Sequence, residues 1–230
     1  MALDGERVAR LDAVTNYPPD ALLFVTPNCP HCATVKHALS ELLKEGQIAQ
    51  VRVVDATENT ELAREYEVRA APWLKLGVFT LTGARTLGEL RQWVAWAHGE
   101  EGTAHYVAHL LSEGGYVQAS AFIHADTRRL KPLLSIVSDP TANLEVRLGV
   151  SALLESYAYS PALQALLPEL AELSRHADHR VRADACHLLG LTGSAAAKAP
   201  VEVCLHDAHE EVREIAVDAM HNLKRRRAKA

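Results

Sequence analysis

The sequence predicts an α/β domain followed by an all-α domain, on three observations. Strand-like and helix-like patterns alternate along the first hundred residues. Strand signals stop after Gly102, and helical patterns separated by Gly, Pro or short polar breaks follow. A Val-Arg pair followed by an apolar helical stripe then recurs in the second half. Such a change of texture marks a domain boundary, so we predict domains at 1–100 and 103–226.

The first domain is predicted to have the element order β-α-β-α-β-β-α. Short apolar or Val-rich runs predict its strands, and apolar residues at helical spacing predict its helices. Gly46 follows one helix as a capping glycine would. The last two strands are joined too tightly for a crossover, so we expect them to be antiparallel. The predicted elements are a helix at 5–14, a strand at 21–26, a helix at 31–45, a strand at 48–56, a helix at 58–68, two strands within 69–85 and a helix at 86–99.

The second domain repeats itself. Val146, Val181 and Val212 each precede an Arg, and they are spaced by 35 and 31 residues. Apolar residues stand four, seven and eight positions after each Val, which places them on one helix face. A period in the thirties built from helix pairs is typical of an α-solenoid, in which stacked pairs share one continuous core. The predicted helices are 103–112, 115–125, 127–138, 143–157, 160–175, 178–191, 194–206 and 209–224.

The strings "DHRVRADACHLLG" (178–190) and "DAHEEVREIAVDAM" (207–220) resemble HEAT repeats, with an acidic residue before the Val-Arg pair. A third copy, "NLEVRLGVSALLE", is weaker because Asn143 stands in the region of that acid. The resemblance implies a HEAT-type α-solenoid whose concave surface binds a protein partner. It also implies that adjacent repeats are tied together by Asp178, Arg182 and Arg213.

Composition and charge bear on partners and location. The chain carries 24 basic and 29 acidic residues, a net charge of −5, which does not fit a nucleic-acid binder. Its start, "MALDGERVARLDAV", lacks the apolar core of an export signal. No apolar run approaches the roughly 18 residues that a membrane helix needs. We therefore expect a cytoplasmic protein with neither a nucleic-acid nor a membrane partner.

Two cysteines stand two residues apart in "FVTPNCPHCATVKHAL", where a predicted strand meets a predicted helix. A thiolate at a helix N-terminus faces unpaired backbone N–H groups, which lower the thiol pKa below its usual ~8.5. Cys29, at or just before the first turn, is the predicted nucleophile, and Cys32, one turn in and more buried, is the predicted resolving thiol. Pro30 suits the first helical position, and His31 can become cationic beside the thiolate.

The motif "FVTPNCPHC", the string "VVDATENTELAREYEVRAAPWLKL" and the closing "GARTLGELRQWV" resemble the thioredoxin superfamily. The resemblance implies a thioredoxin fold and dithiol–disulfide exchange with a protein substrate, without a cofactor. Pro72, 40 residues after Cys32, would be the family's cis-proline. Ala71 would supply the backbone that pairs with the substrate, and Trp73 would help to shape the substrate groove.

Two departures from the thioredoxin pattern concern the direction of the reaction. Leu23 holds the place, six residues before Cys29, where thioredoxins have a buried Asp. The inner dipeptide Pro30-His31 is that of the strongly oxidising periplasmic disulfide oxidases. Because no export signal is seen, we expect a cytoplasmic thiol-disulfide oxidoreductase that a cellular reductase keeps reduced. It would reduce or isomerise disulfides on a protein that the helical domain selects.

Other interpretations of the cysteines stay open at this stage. Cys29 and Cys32 could form half of a zinc site, or share an iron–sulfur cluster between two subunits, although we expect no metal. The whole chain could also be a non-catalytic scaffold in which both domains bind proteins. Cys186 and Cys204 lie in predicted helices, and we interpret them as small buried core residues.

Overall fold

A computed structural model of the chain describes residues 17–227, with side chains described as far as Lys224. The chain splits into two compact units between Gly102 and Thr103, and each is described by itself. The helix predicted at 5–14 lies outside the described residues.

The first unit is built around a four-stranded sheet. Its elements are β1 (Asp20–Val25), α1 (Cys32–Lys44), β2 (Gln50–Asp55), α2 (Thr60–Glu65), β3 (Trp73–Leu76), β4 (Phe79–Thr82) and α3 (Leu87–Ala97).

The strand order is β2-β1-β3-β4. β1 pairs in parallel with β2 and antiparallel with β3, and β3 pairs antiparallel with β4. The predicted order of elements and the antiparallel last pair are therefore confirmed. Phe24, near the end of β1, lies opposite Trp73, the first residue of β3.

The end of α1 is set by a glycine that follows it. α1 is followed by Gly46 at φ 70°, where its N–H donates to the Leu43 carbonyl at 3.1 Å. The Gln47 N–H donates to the Leu42 carbonyl at 2.9 Å, so the turn satisfies carbonyls that the helix end leaves unpaired. A residue with a Cβ would be strained at this φ, which explains the glycine.

The described part of the second unit contains helices and no strand. Its α-helices are α4 (Glu101–Ser112), which begins just before the boundary, α5 (Tyr116–Ala125), α6 (Leu134–Val137), α7 (Leu144–Glu155), α8 (Pro161–Gln164), α9 (Leu167–Leu173), α10 (His179–Thr192), α11 (Lys198–Cys204) and α12 (Glu210–Arg227). Two 3₁₀ segments, Thr127–Leu133 and Ala195–Ala197, precede α6 and α11.

The repeated apolar stripe is confirmed. The Val of each Val-Arg pair is buried on α7, α10 and α12. All nine positions that lie four, seven and eight residues after these Val residues are buried as well. Apart from Val181 and Ala185, they belong, with other residues from Val107 to Leu223, to one hydrophobic core cluster of the second unit.

Three helices predicted as continuous are interrupted. The predicted helices 127–138, 160–175 and 194–206 each divide into two segments, and each contains a proline: Pro132, Pro168 and Pro200. A proline lacks the backbone N–H and its ring clashes with the carbonyl four residues earlier, so an α-helix cannot run through it undisturbed. The prolines are spaced by 36 and 32 residues, a repeat signal that the sequence analysis missed.

Ionic contacts connect the Val-Arg helices to later elements. Arg182 on α10 donates from Nε and a terminal nitrogen to Asp207 at 2.7 and 2.8 Å. Its other terminal nitrogen donates to the carbonyls of His176 and Ala177, both at 2.9 Å. This one side chain therefore holds the loop before its own helix and the loop before the next.

The other two arginines make parts of the same pattern. Arg147 on α7 pairs with Asp184 on α10 at 2.7 Å. Arg213 donates to the Asp207 and Ala208 carbonyls at 2.8 and 3.0 Å, as Arg182 does one repeat earlier. Asp178 instead pairs with Arg180 beside it, at 2.8 Å.

Gly190 marks the closest approach of α10 and α12. A Cβ at this position would lie 2.6 Å from the Ala219 Cα and 2.7 Å from the Ala219 Cβ. Only a residue without a side chain allows two backbones to come this close.

Candidate redox site

Cys29 and Cys32 form a disulfide, with their Cα atoms 5.5 Å apart. Cys32 is 6% exposed, whereas Cys29 is half-buried. The predicted difference in burial between the two cysteines is confirmed. The more accessible sulfur is the one that an incoming thiol or thiolate can reach first.

The helix starts one residue after the predicted 31 and two residues after Pro30. α1 begins at Cys32, so Cys32 is not one turn inside the helix and Pro30 is not its first helical residue. The Cys32 N–H donates to the Cys29 carbonyl at 3.4 Å, which closes a tight turn from Cys29 to Cys32. Pro30 and His31 form the exposed middle of this turn.

The turn is anchored at both ends. The Cys29 N–H donates to the Thr26 carbonyl at 3.2 Å, and the His31 carbonyl accepts from the Val35 N–H at 3.3 Å. His31 is the residue that caps α1, although its side chain makes no capping hydrogen bond. The dithiol therefore sits at the amino end of a helix, as predicted, but with Cys29 in the loop.

The Ala71–Pro72 peptide bond is cis, as predicted. Pro72 is buried and Ala71 is half-buried, in the loop that leads into β3. Phe24 lies opposite Trp73, so β1 ends where β3 begins. The loop to Cys29 and the loop through Ala71 consequently leave the sheet at the same edge.

Trp73 is 6% exposed and packs within an aromatic cluster. Its ring meets the Phe24 ring edge-on at 5.5 Å and the Tyr66 ring at 5.8 Å. The Lys75 ammonium lies 5.6 Å from the centre of the Tyr66 ring. The sequence analysis did not predict that Phe24 and Tyr66 pack on Trp73, although Phe24 stands in a predicted buried strand and Tyr66 belongs to the string that resembles thioredoxins.

The strand that leads to the dithiol is apolar where thioredoxins carry an acid. Leu23 is fully buried in β1, and Phe24 beside it is fully buried as well. An acidic group at the same end of the sheet is Asp55, which ends β2 opposite Val25. Hydrogen bonds from the Thr57 hydroxyl and N–H, at 2.6 and 2.8 Å, lower the pKa of Asp55.

The other two cysteines lie in the second unit. Cys186 and Cys204 are free and buried in the core of the second unit, which confirms their interpretation as core residues. Between residues 17 and 227, no three His, Cys, Asp or Glu side chains are grouped as a metal ion would require. Over the same stretch, no helix has the length and apolar character needed to cross a membrane.

Comparison with known proteins gives the family. The model of the thioredoxin domain matches residues 22–95, which contain the disulfide, the cis-proline and all of the sheet except the first two residues of β1. A protein described as a thioredoxin, from Methanocaldococcus jannaschii, is 35% identical over 66 residues, which cover 28% of this chain and 78% of that protein. The chain belongs to the thioredoxin family through this region.

Proposed function

We propose that the protein is a thiol-disulfide oxidoreductase that acts on protein disulfides. The observation that supports this most directly is the Cys29–Cys32 disulfide at the amino end of α1, in a chain of the thioredoxin family. A pair of cysteines in one tight turn can pass between dithiol and disulfide with little movement of the backbone.

The proposed reaction starts from the dithiol. The Cys29 thiolate attacks one sulfur of the substrate disulfide, that bond breaks, and the released sulfur takes up a proton. Cys32 then loses its proton and attacks the Cys29 Sγ, which releases the second substrate thiol. Two electrons pass to the substrate, and the protein ends as the Cys29–Cys32 disulfide. Cys29 is assigned the first attack because it is the more exposed of the two.

Five neighbours have proposed supporting roles. Pro30 and His31, exposed in the turn, would tune the thiolate and the reduction potential. Ala71 and Pro72 would pair with the substrate backbone at the sheet edge shared with Cys29. Trp73 would hold that loop in place through its contacts with Phe24 and Tyr66.

The second unit is proposed to be a HEAT-like protein-binding module. The shared apolar stripe, the interrupted helix before each Val-Arg helix and the Arg182–Asp207 pair support this assignment. Stacked helix pairs present an extended surface on which a protein partner can lie. The cytoplasmic location and the recycling reductase stay predictions from the sequence.

Trapping with single cysteine variants tests the reaction. We expect Cys32→Ser to accumulate a mixed disulfide between Cys29 and a disulfide-bonded substrate such as insulin, because the resolving thiol is missing. The matched Cys29→Ser variant should trap little, and both variants should lose turnover. Non-reducing electrophoresis followed by mass spectrometry of the linked peptide identifies the bond.

The outcomes separate the alternatives. Trapping by Cys29→Ser instead would reverse the assigned roles of the two cysteines. No trapping by either variant, together with no reversible couple in a glutathione buffer series, would leave the scaffold interpretation. A potential near ~−270 mV would favour a reductase, and one near ~−120 mV an oxidase or isomerase.

A further inference from the structure

The outer side of α12 carries one continuous stripe of exposed residues. They recur at intervals of four and three positions, so they lie along one face of the helix. We call them, together with the exposed Asp218 beside them, the α12 stripe: Glu210, Glu214, Val217, His221 and Lys224.

The α12 stripe occupies positions that the preceding repeat buries. Glu214 and Val217 stand two and five residues after the Val of their Val-Arg pair, and the equivalent residues of α10 are Ala183 and Cys186. Ala183 and Cys186 are 3% and 0% exposed and belong to the core cluster of the second unit. Val217 is instead 58% exposed. The face that α10 buries is therefore left open on α12.

Charge is divided along the α12 stripe. Glu210, Glu214 and Asp218 lie in the first three turns, whereas Lys224 lies in the last turn and three arginines follow it in the sequence. None of these four side chains forms an ion pair with another side chain that the structure describes. The helix dipole accounts for acids in the first turn and bases in the last. It does not account for Glu214 and Asp218, which lie further in and repel each other across one turn.

We propose that the α12 stripe is a docking surface for a second copy of this chain, with the two α12 helices antiparallel. Glu214 is three residues before Val217, and Lys224 is three residues after His221. A two-fold axis between Val217 and His221 consequently brings Glu214 of each copy beside Lys224 of the other. Two equal ion pairs form, and the exposed Val217 of each copy is covered by His221 of the other.

A second copy fits the α12 stripe because the stripe is complementary to itself. A wholly basic partner would match Glu214 and Asp218 but would meet Lys224 with like charge, and a wholly acidic partner would do the reverse. Parallel pairing of two copies would set acid against acid. Antiparallel pairing satisfies both halves at once. The stripe lies in the second unit, so the proposal does not depend on the function proposed for Cys29 and Cys32.

The test measures the mass of the full chain in solution over a range of concentrations, by analytical ultracentrifugation with dithiothreitol present to prevent disulfides between copies. We expect a reversible dimer that added salt weakens, because exposed ion pairs are screened. Glu214→Lys and Lys224→Glu should each weaken the dimer about tenfold, since each reversal changes two ion pairs. The double variant should regain most of the affinity, because it keeps the same pair with its charges exchanged.

A matched control separates the α12 stripe from surface charge in general. Glu145→Lys reverses an exposed acid near the start of α7 and should leave the dimer unchanged, with circular dichroism confirming that every variant folds. A chain that stays monomeric at its highest soluble concentration would overturn the proposal and leave the stripe to a different protein. Equal weakening by Glu145→Lys, or no recovery in the double variant, would refute the antiparallel pairing.

Discussion

Gly190 is a helix residue of the second unit whose replacement the fold should tolerate poorly. Its missing side chain lets α10 rest against the backbone of α12, with the Ala219 Cα 2.6 Å from where a Cβ would be. Gly149 on α7 faces a softer neighbour. A Cβ there would meet the Leu111 Cδ2 at 2.7 Å, which is the end of a side chain that can rotate.

The two glycines give a paired prediction. Gly190→Ala should lower the free energy of unfolding by about 1–3 kcal/mol, because the helices must separate and the gain in helix propensity does not offset this. Gly149→Ala should change it by less than about 1 kcal/mol, since Leu111 can move. Urea unfolding followed by far-UV circular dichroism measures both. Equal losses would contradict the close approach of α10 and α12.

Asp207 and Asp178 occupy equivalent positions in two repeats, but only Asp207 pairs with an arginine of the preceding repeat. Each carboxylate accepts the N–H of the residue two positions later, from His209 at 2.8 Å and from Arg180 at 2.9 Å. Asp207 is in addition the partner of Arg182 on α10, and both side chains are largely buried, at 11% and 16% exposure. Asp178 pairs with the exposed Arg180 of its own repeat.

Asp207→Asn should destabilise the helical unit by about 1–3 kcal/mol at neutral pH, because the hydrogen bonds to a buried guanidinium lose their charge. Asp178→Asn is the control, and it should cost clearly less than Asp207→Asn, since asparagine caps a helix as well as aspartate and the lost ion pair is on the surface. Urea midpoints at neutral pH measure the two changes. A larger loss at Asp178 would refute the tie between α10 and the loop before α12.

The same pair predicts a pH dependence. The hydrogen bonds from Arg182 lower the pKa of Asp207 from 3.8 to about 2 in the folded protein. A carboxyl whose folded pKa is depressed stabilises the fold fully above its unfolded pKa, and that contribution is lost as the pH falls through the folded value. The stability difference between the native protein and Asp207→Asn should therefore shrink between pH 3.8 and about 2. A constant difference over that window would show that Asp207 is not held by Arg182.

At the scale of elements, the sequence predicted which segments are helices or strands, and their order, better than it predicted where a helix is interrupted. The spacing of apolar residues located the strands, α1 and the Val-Arg helices, because an element that buries one face has apolar residues at regular intervals. The interruptions at Pro132, Pro168 and Pro200 were missed, because apolar spacing carries on through them while the backbone cannot. The start of α1 at Cys32 was also misplaced, since the turn from Cys29 depends on backbone hydrogen bonds rather than side chains.

The candidate site could be predicted in its chemistry but not in its surroundings. The CxxC spacing and the resemblance indicated the Cys29–Cys32 pair and the cis bond at Pro72. The contacts of Trp73 with Phe24 and Tyr66 depend on which strands lie side by side, which local patterns do not state. The pairing of Arg182 with Asp207, 25 residues apart, is hidden for the same reason.

For the whole molecule, the proposed division of labour makes a prediction. The full chain and residues 1–102 alone should reduce insulin at similar rates, since the dithiol and its loops lie in the first unit. Both chains would then carry Cys32→Ser and be offered insulin together with a protein that binds the helical unit. The full chain should trap that protein in preference to insulin, whereas the shorter chain should not. Circular dichroism would first establish that the shorter chain folds. Identical trapping by both chains would remove the helical unit from substrate choice.

The Arg182 contacts have a consequence for how such a chain can lengthen or shorten. Arg182 and Arg213 each hold the carbonyls just ahead of their own helix, and Arg182 also holds the acid of the loop that follows. The same types of residue therefore make the contacts at the start and at the end of a repeat, so one repeat can follow another. Duplication or loss of a whole repeat would preserve these arginine contacts. Insertion of a few residues between Arg182 and Asp207 would instead move Asp207 out of reach and break the ion pair. We expect natural length variation in this region to come in multiples of one repeat.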